Sequence, residues 1–453
     1  MVNHPSNHSR RDFLRLAASV SAAAGGGLGL ASVAAAGTRA RLGAAPRPAS
    51  APLKILILGG TAFLGPAIID AARARGHSIT TFNRGRTEKR KGVAVDAEEK
   101  LVGNRDPDKH AATKYVDGKD VDDTDSPKGL SQLEGHTWDA VVDTSGYAPR
   151  IVKASAEFLS KSVKQYVFIS SISAYKQNDK VGADETSPVA TMADETIEEM
   201  GAGFANYGPL KALCEQAAEK AMAGRVTNIR PGFIVGPEDA TDRFTYWPIR
   251  IDRGGEVLVP GSPSDLIQII DVRDLGEWIV HCIEAKVVGV FNACGPEKKL
   301  AWGDALEACR QNSEGGKKSK LIWIATSQFE AIGVPQGTFP IWVPPEGESA
   351  GFHTYSIARA VAAGLKFRPY QQTCKDLLTW WPKEVERRRT AGERQVAEAK
   401  KDGRPEPKLP PADQLRAGPQ AATEAELLAK IAKTATSSPA PAETTPPADP
   451  KGK

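Results

Sequence analysis

The chain has 453 residues, 41% of them hydrophobic, enough for one large or two modest packed domains and far beyond a mini-protein. Its 59 basic and 55 acidic residues leave a net charge of +4, a balance that gives no reason to expect a nucleic-acid or strongly acidic partner. Five dispersed cysteines and seven histidines form no C-x-x-C and no metal-spaced cluster, so neither a structural metal nor an assignable disulfide is expected.

The N-terminus reads as an address. Ser9-Arg10-Arg11-Asp12-Phe13-Leu14 precedes a charge-free Ala/Gly-rich run, and Ala34-Ala35-Ala36 offers small residues to a peptidase. This resembles a bacterial twin-arginine signal over residues 1–37, followed by a Pro/Ala/Arg linker over 38–52, and implies export to the periplasm or cell envelope. Retention of the run as a membrane anchor is the competing reading, although four glycines make it weakly hydrophobic for a spanning helix. Membrane contact is expected only through this segment, if it is uncleaved.

From Leu53 the pattern changes. Leu53 to Leu58 is continuously apolar except for Lys54 and predicts a buried parallel strand, broken by Gly59-Gly60-Thr61. Leu64, Ala67, Ile68 and Ala71 then recur at helical spacing up to Gly76, and His77 to Phe82 predicts a second strand. Glycines at such a turn let backbone approach a pyrophosphate while the helix N-terminus faces its charge; they also serve as plain turns. After the second strand, where an acid would suit the ribose of NAD, stands Asn83-Arg84-Gly85-Arg86. A guanidinium at Arg84 suits a 2′-phosphate, which favours NADP over NAD.

The polar stretch from Lys89 to Lys128 predicts a surface insertion. Further apolar strands are predicted at 140–142, 166–169, 226–229 and 267–270, and their alternation with helices argues for an α/β doubly wound sheet. Ser170 and Ser171 follow one strand at its carboxyl edge, where ligands bind in open α/β sheets and where serines also cap helices. Tyr207 and Lys211 are four residues apart on a predicted helix that places them on one face, with Pro209 tolerated in its first turn. A cation near a phenol favours its ionised form and makes it a proton donor and acceptor. Irregular segments at 236–261 and 297–355 are assigned to a smaller substrate-facing lobe. Beyond Lys383 no aromatic residue occurs and prolines punctuate Ala, Lys and Glu, so residues 384–453 predict a disordered tail, with one short amphipathic helix near Glu424 to Ile431 conceivable.

Four motifs in order carry a family resemblance: Gly59-Gly60-Thr61-Ala62-Phe63-Leu64-Gly65, the Ser171 cluster, Tyr207-x-x-x-Lys211, and Arg230-Pro231-Gly232-x-x-Val235-Gly236-Pro237. Together they resemble the extended, atypical short-chain dehydrogenases/reductases of the NAD(P)-dependent epimerase/dehydratase group. The resemblance implies a Rossmann-type domain over 53–235 and a substrate lobe over 236–383. It implies Tyr207 as acid/base, Ser171 (less so Ser173) as the residue orienting the substrate oxygen, and Lys211 as binding the nicotinamide ribose and lowering the phenol pKa. It places Gly59, Gly60, Thr61, Phe63, Leu64, Gly65, Arg84, Asn104, Thr144, Ser145, Lys211 and Pro231 about an NADP or NAD cofactor. Ala62 departs from the family loop by replacing its middle glycine, and Asn104 stands where many relatives have an aspartate near the adenine. Ile172-Ser173 replaces the Asp-Glu pair of sugar dehydratases, which disfavours dehydration. The expected activity is hydride transfer on a small-molecule hydroxyl/carbonyl substrate, with a sugar derivative as one candidate, by an oxidoreductase or epimerase; homo-oligomers stay open. The alternative is a non-catalytic dinucleotide-dependent binding or scaffolding protein on the same fold.

Overall fold

The structure, a computed structural model, describes residues 51–91, 94–116, 119–335 and 337–437. The twin-arginine signal and most of the linker lie outside these residues.

Seven parallel strands form the central sheet: β1 (Lys54–Leu58), β2 (Ser78–Asn83), β3 (Glu99–Val102), β4 (Trp138–Asp143), β5 (Val163–Ile169), β6 (Val226–Pro231) and β7 (Gly289–Ala293), in the order β7-β6-β5-β4-β1-β2-β3. This is the doubly wound α/β architecture that the alternation of elements predicts. Chain order reverses between β1 and β4, where Leu58 lies beside Asp143, so the two strands open a crevice at their carboxyl ends.

Side-chain alternation along β1 sets the two layers. Ile55 and Ile57 face α1 (Leu64–Ala74) and α4 (Val272–Glu284), whereas Leu56 and Leu58 face α2 (Pro149–Leu159) and α3 (Tyr207–Ala221). All four β1 side chains are fully buried, and each contributes about 1.5–3 kcal/mol relative to exposure. Helix α1 ends where its periodicity stops, before Gly76 at φ +85°. Asp271 caps α4 by accepting from the Arg273 N–H at 2.9 Å.

Three strand assignments differ from the sequence reading. Within the supposed insertion, β3 joins the sheet edge and Thr113–Val116 pairs antiparallel with Lys119–Asp122. Strand β7 was not anticipated, and the expected strand over 267–270 does not enter the central sheet. Instead Ile269–Asp271 pairs with Phe233–Val235, a two-stranded bridge into the second lobe.

That lobe has its own core, in which Trp247 and Trp302 meet edge to face at 4.8 Å and the parallel strands Gly255–Pro260 and Ser319–Ile324 flank α5 (Trp302–Gln311). The tail expected from residue 384 is corrected: α6 runs through it as Tyr370–Lys401, and α7 spans Ala421–Ser437. Residues 438–453 lie outside the described residues. The arm docks through charge as well as apolar contact. Arg388 pairs with fully buried Asp242 at 2.5 Å and with Glu384 at 2.8 Å, and Asp242 also accepts from the Arg416 N–H at 3.0 Å. Buried Glu424 accepts from Arg250 at 2.5 Å and from the Leu258 N–H at 3.0 Å, while Leu415 and Leu427 enter the lobe core.

Removing one partner of a buried ion pair leaves the other charge stranded, which costs about 3–5 kcal/mol. Arg388→Met and a chain ending at Lys383 should therefore both lower the denaturant midpoint substantially. A midpoint unmoved by the truncation would restore the picture of a solvated tail.

Candidate active site

The turn after β1 is shaped by its glycines. Gly59 sits at φ +97°, and a Cβ there would lie 2.5 Å from Thr144 Oγ1; at Gly65 a Cβ would lie 2.2 Å from the Gly60 backbone. The first glycine thus lets β1 meet the turn after β4, and the third lets α1 pack onto the loop. Thr144 Oγ1 donates to the Leu58 carbonyl at 3.0 Å and accepts from the Gly60 N–H at 3.3 Å, so the two strand ends are laced across the crevice. Among the described residues the N–H groups of Thr61, Ala62 and Phe63 have no protein acceptor. Three free donors at the N-terminus of an eleven-residue helix, beside glycines that clear the approach, fit the diphosphate of a dinucleotide.

Beneath this crevice lies a charged network that sequence reasoning did not anticipate. Arg105 donates to both oxygens of fully buried Asp143 at 2.7 and 2.6 Å, and Tyr166 donates to the same carboxylate at 2.7 Å. Arg105 also reaches Ser145 Oγ at 3.3 Å, coupling the strand end to the turn. Its neighbour Asn104 uses its amide inside its own turn, donating to the His110 carbonyl at 2.8 Å and accepting from the Asp106 N–H at 3.1 Å. Arg84 stands just past β2 with its guanidinium partly shielded from water, and among the described residues it pairs with no carboxylate. Burial, with help from Arg86, holds its pKa below the usual arginine value.

Ser171, Tyr207 and Lys211 all lie at the carboxyl edge of the sheet. Ser171 ends the run after β5 in extended conformation and caps a short helical turn by accepting from the Ser173 N–H at 3.1 Å. Its hydroxyl lies close enough to Tyr207, the first residue of α3, to favour the ionised phenol. Lys211, one turn on, is buried and donates to the carbonyls of Gly146 and Ile169, each at 2.8 Å. The ammonium lies 4.7 Å from the Tyr147 ring and 4.8 Å from the Phe168 ring. One more turn along, Glu215 accepts from Ser170 at 2.5 Å and pairs with buried Arg230 at 2.6 and 2.8 Å. Glu215 was legible as the next residue on the face of Tyr207 and Lys211. Pro231 is buried at the end of β6 on the far side.

Burial pushes the Tyr207 phenol well above its usual pKa, and Tyr147 adds to the rise; the Ser171 hydroxyl and the Arg243 charge oppose it. The Lys211 ammonium is engaged by its two backbone carbonyls. Burial takes Lys211 itself down to about 8.

Comparison with known proteins fits this geometry. The NAD dependent epimerase/dehydratase family model matches residues 55–294, more than half of the chain. The chain belongs to that family. This family member is 26% identical over 284 residues to the chloroplast stem-loop binding protein of 41 kDa b of Arabidopsis thaliana, spanning 62% of this chain and 68% of the relative. It is 23% identical over 253 residues to human epimerase family protein SDR39U1, covering 54% and 75% of the two chains. The Bordetella bronchiseptica enzyme WbmG, solved with NAD and UDP, superposes over 74% of this chain and 95% of its own with a TM-score of 0.51 at 16% identity. WbmH of the same organism, solved with NAD+, gives 0.50 at 14% identity over 73% and 99%. These structures share the fold.

Two outcomes follow from the geometry. Gly59→Ala forces a side chain onto Thr144 in a conformation that costs about 1–3 kcal/mol, so it should lower the melting temperature and abolish dinucleotide retention in native mass spectrometry. Lys211 titrates near 8 when folded and at 10.5 in the unfolded chain. Between those values the unfolded chain binds more protons, so this group's contribution to stability rises with pH across the window. Lys211→Met should flatten that slope in urea unfolding series; identical slopes would show the lysine to be solvated.

Proposed function

We propose that this chain is a nicotinamide-dinucleotide-dependent oxidoreductase or epimerase acting on a hydroxyl/carbonyl substrate, with a sugar derivative as the leading class. The observation that carries the reading is the placement of Ser171, Tyr207 and the buried Lys211 ammonium at the carboxyl edge of the sheet, beside a glycine loop whose Thr61, Ala62 and Phe63 N–H groups have no acceptor among the described residues. The loop donors of Thr61, Ala62 and Phe63 hold the diphosphate, with Gly59, Gly60 and Gly65 clearing its approach and Thr144, Ser145 and Pro231 lining the crevice. Arg84, free of carboxylate partners, suits a 2′-phosphate and favours NADP over NAD. When bound, the nicotinamide accepts or supplies hydride at C4.

The protein's part is proton and oxygen handling. Ser171 donates to or accepts from the substrate oxygen and fixes it against Tyr207, whose phenol, kept protonated by burial, gives its proton to the developing alkoxide in reduction, leaving a phenolate; in the reverse direction that phenolate takes the proton from the alcohol. Lys211 uses two of its three N–H donors on Gly146 and Ile169, and the third remains for a ribose hydroxyl. We further propose that residues 1–37 direct export through the twin-arginine route, which suits a protein that must close around its cofactor before crossing a membrane.

Native mass spectrometry of the full chain recovered from a cell-envelope fraction tests all of this at once. The expected species lacks the signal and carries a dinucleotide whose mass shows the extra phosphate; recovery of the chain only from the cytoplasm would overturn the export proposal. Tyr207→Phe should retain the dinucleotide and lose about 10²- to 10⁴-fold in turnover across a panel of alcohols and sugar derivatives, followed by the absorbance of reduced nicotinamide.

A second reading, a non-catalytic dinucleotide-dependent binding module, is favoured by one observation: the Lys211 ammonium is engaged by two backbone carbonyls, as a purely structural lysine would be. Unchanged biological activity in Tyr207→Phe would select it.

A further inference from the structure

The well-buried arginines around the site are committed to carboxylates: Arg105 to Asp143, Arg230 to Glu215, and Arg388 to Asp242 and Glu384. Arg243 is different. Its side chain is only 13% exposed, yet its sole hydrogen bond runs from Nε to Thr241 Oγ1 at 2.8 Å. The nearest carboxylate oxygen, on Asp239, stands off at 3.7 Å, and the other Asp239 oxygen is taken by the Thr241 N–H at 3.0 Å and hydroxyl at 2.5 Å. Among the described residues neither terminal nitrogen of Arg243 has an acceptor. The stem is buried while the terminal nitrogens keep contact with solvent, so the fork is held open to a ligand instead of being sealed or filled by a carboxylate, and an oxyanion that displaces that water gains a charge-assisted pair.

The surroundings say where the partner comes from. The guanidinium lies 5.6 Å from the centre of the Phe233 ring, two residues past Pro231, and its charge reaches the Tyr207 phenol. Gly232, between them, packs toward Ile172 and Cys294, the former next in chain to Ser171. His353, on the far side of Phe233, contributes no competing charge. Its Nδ1 accepts from the Gln268 N–H at 2.9 Å, its Nε2 lies 3.1 Å from the Ile341 carbonyl, and burial holds its pKa down to about 3. The backbone that presents Arg243 is pinned on both sides: Glu238 and Asp242 adopt φ +74° and +57°, and Asp242 is gripped by Arg388 and the Arg416 N–H of the C-terminal arm. A guanidinium fixed this way loses little freedom on engaging a ligand.

We propose that Arg243 is a specificity-determining residue of the site, gripping in bidentate fashion an oxyanion substituent, carboxylate or phosphate, on the substrate whose hydroxyl or carbonyl meets Tyr207. The planar fork matches two oxygens of one oxyanion, a match that an ammonium does not reproduce. This assignment rests on the reading of the site given above and narrows its substrate class to acids and phosphate esters.

The test uses the full chain saturated with NADP⁺, or with NAD⁺ if that is the dinucleotide retained, titrated calorimetrically with inorganic phosphate and with malonate. Wild type should bind at least one, and the one preferred separates a phosphate ester from a carboxylic acid. Arg243→Gln should weaken that binding by about ten-fold or more, with Arg243→Lys intermediate because it keeps the charge and loses the fork. Should Arg243→Gln fail to fold, the lysine variant carries the comparison. Equal affinities in wild type and variants, or no binding of either anion to dinucleotide-loaded wild type, overturn the assignment and leave the dinucleotide reading standing. Failure of wild type to bind any dinucleotide sinks that reading and the assignment with it.

Discussion

One buried ammonium joins pieces of chain that lie far apart in sequence. Lys211 donates to carbonyls on the turn after β4 and at the end of β5, and so ties α3 to the carboxyl edge of the sheet at the place where its winding reverses. Desolvating a lysine is unfavourable, and here two full hydrogen bonds and two aromatic faces offset only part of that cost, so its pKa stays down at about 8. The position of Tyr207, one helical turn away, is a consequence: with Lys211 anchored, the phenol meets Ser171. The same helix face continues to Glu215 and, through it, to Arg230 on β6. A single stripe of α3 thereby organises the ends of three neighbouring strands.

The sequence suggests that a cation four residues from a phenol acts on it; in the structure that cation serves the scaffold, held by two backbone carbonyls. Arg243, from the other lobe, adds a charge that opposes the rise in the phenol's pKa. The electrostatics at Tyr207 therefore depend on how the two lobes meet, which no local spacing records.

How much was legible follows the same division. The β1–turn–α1–β2 unit could be read because an apolar run, glycines and a helical period all act within a few residues, and the motifs carrying Ser171, Tyr207 and Lys211 could be placed at a strand end and on one helix. Strand β3 escaped because Glu99 and Lys100 make it an edge strand with little apolar signal. Strand β7 escaped for a related reason, beginning half-exposed at Gly289 and Val290. Ile269–Asp271 looked like a sheet strand because its residues are buried, yet burial does not say against which neighbour. The C-terminal arm was misread on composition: it docks through Arg388 and Glu424 to charges in the lobe, and hydropathy counts such residues as solvent-facing.

The arm also orders events in time. The last strand of the central sheet ends at Ala293, whereas the partners of Asp242, Arg250 and Leu258 lie at residues 388, 416 and 424. A ribosome that has released every strand of the sheet still withholds the groups that neutralise and saturate the Arg243 loop. The crevice for the dinucleotide is thus complete early in synthesis, and the wall that faces the substrate closes only as translation nears its end.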